Sequence, residues 1–326
     1  MSEKKLRKGY TTGVHASFAF SSALSSFLLT KSCVKSVTNK MDNDDLDITK
    51  GCEIIVTISD KKEDLELNKI EHKPYVIGSL ELYAGLGVGV VTKDGLRPPK
   101  GFPAINPTPL KAMADIYAKL CRDEGNPTYG CISVTDGEEL AKQTANAKVG
   151  VLGGISILGT TGFVKPISTD AYMDSIRAEL GVAKANGYNQ AVLTLGNSSF
   201  SYAKEHYDEI QIVEIGNFVY DALKIVEDLG FKSVIFVCGI GKATKVMQGC
   251  KNTHNRFGSI DFEALKIDIK DILNIEIDTE VTKTVKGIST QLGVKMDDFY
   301  DFVQNRTNQQ IKKWFNTIEI ETRILR

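Results

Sequence analysis

Two rhythms of hydrophobic and polar positions run along this chain, and the change between them divides it. After a basic arm, Thr11 or Thr12 can cap a helix that continues to about Thr30, rich in Ala, Ser, Phe and Leu. CVKSVTN (33–39) and CEIIVTIS (52–59) read as strands, separated by the acidic loop Asp42-Asn43-Asp44-Asp45-Leu46-Asp47. Residues 60–73 are a polar connector. The β-rich stretch IGSLELYAGLGVGVVT (77–92) carries Gly85, Gly87 and Gly89 at every second position. Such spacing leaves one strand face bare, so another group can approach the backbone closely. A proline-punctuated loop, GFPAINPTP (101–109), leads into a helical pattern. CISVTDG (131–137) reads as a strand that runs into a helix at GEELAKQT (137–144). The next segment, GVLGGISILGTTGFV (150–164), has five glycines in its first thirteen residues.

From Ser168 the pattern changes. A helix at about 168–187 is followed by three short apolar runs, QAVLTLGN (190–197), IQIVEIGN (210–217) and FKSVIFVCGIGK (231–242), with helical stretches between them. Strands alternating with helices of this length predict right-handed βαβ units and a parallel sheet. The tail, 262–315, reads as mostly helical, and NTIEIETRIL (316–325) alternates as a final strand. The fold class expected is therefore mixed: an N-terminal α+β domain over residues 1–165 and a smaller C-terminal α/β domain over 166–326. The boundary falls near 160–168. The final segment is expected to have the option of packing back on the N-terminal domain. At roughly 150 residues per domain, 326 residues also suggest two.

Composition removes several function classes. The 40 Lys+Arg and 41 Asp+Glu leave a formal net charge of −1, without the basic excess of a general nucleic-acid binder. No run approaches the roughly 18 consecutive apolar residues of a spanning helix. VHASFAFSSALSSFLL (14–29) is cut by His15 and many serines, so it is not read as a signal peptide, and a cytoplasmic protein is expected. The six cysteines and four histidines show neither disulfide nor metal-ligand spacing, so no metal site is expected. The acidic loop lacks the glycine and distal glutamate of an EF-hand. A Gly-x-Ser-x-Gly elbow is also missing.

The candidate chemistry lies in glycine turns. Gly196-Asn197, Gly216-Asn217 and Gly239-Ile240-Gly241-Lys242 end the three predicted parallel strands, where open parallel sheets bind ligands. Backbone amides at such turns can hold anionic groups. None completes a dinucleotide fingerprint, so a nicotinamide enzyme rests on architecture alone. The 150–162 segment lacks the Gly-Lys-Ser/Thr ending of a triphosphate loop. It reads either as a hinge or as a ligand loop with Ser156, Thr160 and Thr161 beside exposed backbone. Among the histidines, only His254 has company suited to a site, in Asn252-Thr253-His254-Asn255-Arg256.

The order of these motifs resembles a known family. GYTTG (9–13), GVGVVTKDGL (87–96), PAINP (103–107), GEELAKQT, GGISILGTTG (153–162), Gly196-Asn197, Asn217-Phe218, IGK (240–242) and NTH (252–254) together resemble the CbiD family, cobalt-precorrin-5B C(1)-methyltransferases of anaerobic cobalamin biosynthesis. The resemblance implies methyl transfer from S-adenosylmethionine to carbon 1 of a ring-contracted tetrapyrrole. Cobalt enters only as part of that substrate. It also implies two domains; the balanced charge predicts no nucleic-acid or membrane partner, and homo-oligomerisation is left open. On this reading the cofactor site is expected at Gly153, Gly154, Ser156, Gly159, Thr160, Thr161, Gly196, Asn197, Asn217 and Gly241. Substrate contacts are expected from Thr11, Thr12, Asp44, Asn106, Lys242 and Arg256. If a proton must leave, Asp45 or His254 would take it. The substrate is a polycarboxylate, so a chain of net charge −1 must recognise it by local Arg and Lys. Arg7, Lys8, Arg97 and Lys100 join Lys242 and Arg256 as candidates.

The chain departs from the family pattern at several positions. Val14 and His15 stand where the family has Thr and Cys. Met41 replaces the first Asp of the acidic loop, Leu46 replaces its Pro, and Gly239 replaces a His. The lost Asp and His are the ground for the alternative reading, a non-catalytic tetrapyrrole carrier or pathway scaffold.

Overall fold

The structure is a computed structural model that describes residues 7–42, 44, 47–121, 127–159, 162–164, 169–278 and 284–326. The chain divides into two compact units, Met1–Ala171 and Tyr172–Arg326.

The first unit is built on helix α1 (Thr12–Thr30) and a mixed sheet. Thr11 caps the helix by accepting the Val14 N–H at 3.4 Å, and Lys31 ends it in the left-handed region with φ 53°. Ala16, Ala19, Phe20, Ala23, Leu24 and Phe27 recur at three- and four-residue spacing and are buried. They pack on strands β1 (Val34–Asn39) and β2 (Glu53–Ser59). Along β2 the period-two residues Ile54, Val56 and Ile58 all join this core. With β3 (Tyr75–Ile77), β4 (Leu80–Ala84) and β5 (Thr128–Val134), the sheet order is β1-β2-β5-β4-β3. Only the β4–β5 pair is parallel. Helix α2 (Pro107–Leu120) also packs on α1 and brings Met113 into the core.

The β-rich stretch 77–92 does not continue as one strand. After Ala84 it breaks into two-residue pieces, because its glycines bring another backbone into contact. Gly87–Val88 pairs in parallel with Gly154–Ile155, and Val90–Val91 pairs antiparallel with Val151–Leu152. The group expected to approach the bare glycine face is the chain's own 150–155 segment.

The second unit alternates strands and helices as the apolar runs predict. Helix α3 (Thr169–Ala185) is followed by β6 (Gln190–Thr194), α4 (Asn197–His206), β7 (Ile212–Glu214), α5 (Val219–Asp228), β8 (Ser233–Gly239) and α6 (Ile240–Met247). The tail supplies α7 (Phe262–Leu273), α8 (Val285–Gln291), α9 (Met296–Trp314) and β9 (Glu319–Leu325). The sheet is parallel throughout, in the order β7-β6-β8-β9. Val192, Phe236 and Val237 are fully buried at its centre. The final strand, left with two options by the sequence, takes its pairing partner from the second unit. β9 pairs with β8 over seven positions, from Ser233↔Glu319 to Gly239↔Leu325, and completes the second unit's own sheet. Among the described residues, no helix is long and apolar enough to cross a membrane.

Candidate active site

In the first unit the motifs spread over residues 9–162 converge. Gly9–Tyr10 pairs antiparallel with Phe163–Val164. The Thr11 N–H donates to Gly162 O at 3.1 Å, and Gly13 N–H to Leu158 O at 2.9 Å. Thr12 Oγ1 donates to Leu158 O at 3.2 Å and accepts the Leu158 N–H at 3.0 Å. The Asn106 N–H donates to Ile157 O at 2.9 Å, and Ile157 N–H to Ala104 O at 2.8 Å. GYTTG and PAINP therefore clasp the same 156–159 backbone from two sides. Thr11 and Thr12, expected as substrate contacts, are buried, and both hydroxyls serve the backbone.

The glycines here are packing positions. A Cβ at Gly154 would meet the Gly87 carbonyl carbon and oxygen at 2.2 Å, with φ at +157°. One at Gly159 would meet Thr11 Oγ1 at 2.1 Å, and one at Gly153 would meet the Asn68 amide at 2.6 Å. Gly137 faces the Gly87 carbonyl oxygen at 2.1 Å in the same way. Asn68, which no sequence motif marks, locks this corner. Its Nδ2 donates to Val88 O (2.7 Å) and Gly153 O (2.9 Å), and its Oδ1 accepts the Ile70 N–H (2.9 Å). Asn106 opens α2 without capping it, and its side-chain amide makes no hydrogen bond among the described residues. Thr160, Thr161 and Asp45 lie outside the described residues.

The acidic loop is held at both ends. Asp44 accepts from Arg7 N (2.8 Å), Nε (3.1 Å) and Nη2 (2.9 Å), and Asp42 accepts from the same Nη2 at 3.0 Å. Arg7 is thus committed to carboxylates of its own chain. At the other end Lys40, 3% exposed, forms an ion pair with Asp47, whose second oxygen accepts from Thr49. Burial pushes the Asp47 carboxyl up, but the hydrogen bonds from Lys40 and Thr49 and the Lys40 charge outweigh it, leaving it below its ordinary value. Beside this pair, His15 Nε2 accepts the Met41 N–H at 3.3 Å. Burial, then the Lys40 charge, lowers the His15 imidazole below its ordinary value and favours the neutral ring that this bond requires. Two positions that depart from the family pattern, 15 and 41, therefore touch.

In the second unit the candidate residues gather at the carboxyl edge of the parallel sheet. The chain leaves β6 toward β7 on one side and leaves β8 toward β9 on the other. The switch point lies between β6 and β8, where such sheets form a crevice. The turns that flank it carry Gly196, with φ +88°, and Gly239 and Gly241. At all three an added Cβ would meet nothing within 4 Å. Other open glycines, such as Gly187 and Gly249, follow helix ends on the surface. After β7 the turn is filled instead: a Cβ at Gly216 would lie 3.0 Å from the Tyr172 hydroxyl.

Side chains link the turns along this edge. Asn217 Oδ1 accepts from Lys242 Nζ (2.5 Å) and from Thr253 Oγ1 (2.9 Å), and Thr253 N–H donates to Asn217 O (3.0 Å). Thr253 is fully buried and links the turn after β7 to the first turn of α6. Its neighbours His254 and Arg256 are exposed, with His254 Nδ1 accepting the Arg256 N–H at 3.1 Å. Asn197, the first residue of α4, is exposed. Lys245, absent from the sequence-based candidates, is 7% exposed beside Thr253. A lysine three residues after Lys242 on a short helix reads as ordinary surface, so the sequence carries no signal for it.

The resemblance implies an α+β part followed by an α/β part with a parallel sheet, and the elements of the chain follow that order. A family model described as CbiD matches residues 28–166. The cobalt-precorrin-5B C(1)-methyltransferase of Methanocaldococcus jannaschii is 33% identical over 299 residues, spanning 89% of this chain and 78% of its own length. That of a Thermoanaerobacter species is 32% identical over 350 residues, spanning 99% of this chain and 93% of its own. A crystal structure of the cobalamin biosynthesis protein CbiD from Archaeoglobus fulgidus is similar at 27% identity, over 74% of this chain and 79% of that one, with a TM-score of 0.36. This chain belongs to the CbiD family.

Proposed function

We propose that this chain is a cobalt-precorrin-5B C(1)-methyltransferase. It transfers a methyl group from S-adenosylmethionine to carbon 1 of cobalt-precorrin-5B, giving cobalt-precorrin-6A in anaerobic cobalamin biosynthesis. The observation that carries this reading is the near full-length similarity to relatives of that name. We take the protein to act in the cytoplasm, on a small-molecule tetrapyrrole.

S-adenosylmethionine would supply a methyl group already activated on a sulfonium, so the residues need not activate it. Their task is to hold reactants in line and exclude water. The open positions Gly196 and Gly241 suit the donor, because no side chain there covers the backbone amides, and Asn197 and Asn217 stand beside them as further donor contacts. Gly153, Gly154 and Gly159 are filled by neighbouring atoms, and we assign them to holding the clasp rigid. Ser156, Thr11 and Thr12 belong to the same clasp. The unpartnered Asn106 amide is the macrocycle contact we favour in the first unit, with Asp44, Thr160 and Thr161 as further candidates. Arg256 and Lys242 are offered for carboxylate arms. His254 Nδ1 is engaged by a backbone N–H, so Nε2 is the nitrogen to receive a proton, with Asp45 as the other candidate base.

The test is turnover. Purified protein, cobalt-precorrin-5B and methyl-labelled S-adenosylmethionine should give a labelled tetrapyrrole one methyl group heavier. Tight tetrapyrrole binding without label transfer would establish the carrier reading instead.

A further inference from the structure

The second unit holds two lysine ammoniums that, among the described residues, no carboxylate neutralises. Lys242 and Lys245 stand one turn apart on α6. Lys245 Nζ donates to Thr253 O (3.1 Å), Asn255 Oδ1 (2.7 Å) and Gly258 O (3.0 Å), which fills its three donor positions with neutral oxygens. Lys242 Nζ donates to Asn217 Oδ1 at 2.5 Å, and reaches Thr253 O and Thr253 Oγ1 only at 3.4 and 3.3 Å. Both ammoniums share the Thr253 carbonyl, and among the described residues neither pairs with an acidic side chain. Buried charges are normally paired, and two like charges on one carbonyl repel. Burial and the Lys245 charge both push Lys242 below its ordinary value, as expected of an ammonium without a counter-ion.

The position of the pair says where the missing anion belongs. The Lys242–Asn217 bond joins the turns after β8 and β7, the two strands that flank β6. The turn after β6 is Gly196, which is open, and Gly239 and Gly241 beside Lys242 are open as well. Lys245 is buried and saturated, whereas Lys242 is half-buried, with two long bonds that a better acceptor can replace.

We propose that Lys242 is a carboxylate receptor at the switch point of the second unit. Lys245 is a positioning residue: it nails down the 253–258 loop and, by its charge, keeps Lys242 in need of an anion. This deepens the methyltransferase reading by naming what the edge recognises. The carboxylate belongs either to the amino-acid end of the methyl donor or to an acetate or propionate arm of the macrocycle.

Three measurements separate these sources. The first is calorimetric affinity of the whole protein for S-adenosylhomocysteine. The second is the same measurement with decarboxylated S-adenosylhomocysteine. The third is the KM for cobalt-precorrin-5B in the turnover assay. A charge-assisted hydrogen bond corresponds to about a tenfold or greater change. If the donor supplies the carboxylate, Lys242→Met weakens S-adenosylhomocysteine about tenfold and leaves the decarboxylated compound unaffected. If the macrocycle supplies it, Lys242→Met raises the KM for cobalt-precorrin-5B about tenfold and leaves both adenosyl compounds unaffected. In either case Lys242→Arg recovers part of the loss, and Lys245→Gln raises the same constant by more than it lowers kcat. A folded Lys242→Met protein with all three constants within about twofold of the native values overturns the proposal. A native protein that transfers no methyl group, yet loses S-adenosylhomocysteine affinity on Lys242→Met, sinks the methyltransferase reading and leaves the carboxylate site standing.

Discussion

A methyl group added at Gly154, in the first unit, would come within 2.2 Å of the Gly87 backbone. The same addition at Gly241, in the second, would meet nothing within 4 Å. Both glycines belong to motifs that look alike on the page: small residues, hydroxyls nearby, a strand on one side. They do opposite jobs. The first set lets two backbones lie against each other, and the second leaves backbone uncovered at a sheet edge. Glycine density alone therefore does not mark a binding loop: a filled Cβ position marks packing, and an open one points to a site only where the sheet topology does so too.

The largest expected effect attacks the filled set. Gly154→Ala must displace the Gly87 backbone and hold a residue at φ +157°. It should destabilise the first unit by about 3–5 kcal/mol in urea unfolding, the sum of overpacking and backbone strain. Gly241→Ala is the matched control. It lies in the first turn of α6 with open space around it, and should change stability by less than about 1 kcal/mol, on the stabilising side if at all. Equal destabilisation by the two substitutions would erase the distinction between the units.

Next in size is the ion pair that holds the acidic loop. Lys40→Met leaves the half-buried Asp47 without its partner and should cost about 2 kcal/mol. The pH dependence has a definite sign. The Asp47 carboxyl titrates below its ordinary value of 3.8 in the folded chain, so its contribution is complete above that pH. It is lost as pH falls through the lower folded value. Asp47→Asn should therefore flatten the acid limb of the stability curve, and an unchanged limb would remove Asp47 from the account.

The smallest effect concerns His15. Its folded-state pKa lies below the ordinary 6.5, so the unfolded chain binds the extra proton first. Stability from the neutral ring is complete above about pH 6.5 and erodes as pH falls below it. His15→Gln, which can still accept the Met41 N–H, should remove that slope while keeping stability at pH 8 within about 0.5 kcal/mol of native. Denaturant midpoints at a series of pH values read this directly.

Much of the fold was legible beforehand. The runs ending at Gly196, Gly216 and Gly239 declared themselves as parallel strands, because buried strands are continuous apolar stretches with a turn residue after them. NTIEIETRIL was legible as a strand, but its partner was not, since alternation says which face is buried and nothing about which edge is taken. The close approach at Gly85, Gly87 and Gly89 could be foreseen from spacing, whereas the identity of the approaching backbone depends on the tertiary fold. At the site, Asn217, Lys242 and the 252–254 loop were found by motif, and the structure brings them together. Asn68 and Lys245 were not found. A polar residue in a connector and a lysine on a helix look solvated until packing buries them.

The central claim is that the uncovered edge of the second unit takes part in methyl transfer. Gly241→Leu tests it most directly, assayed for label transfer from S-adenosylmethionine to cobalt-precorrin-5B alongside its unfolding curve. The account predicts native stability within about 1 kcal/mol and methyl transfer reduced at least roughly tenfold, since a side chain there fills open space that the account assigns to a ligand. A folded Gly241→Leu protein that transfers methyl groups at the native rate would contradict it.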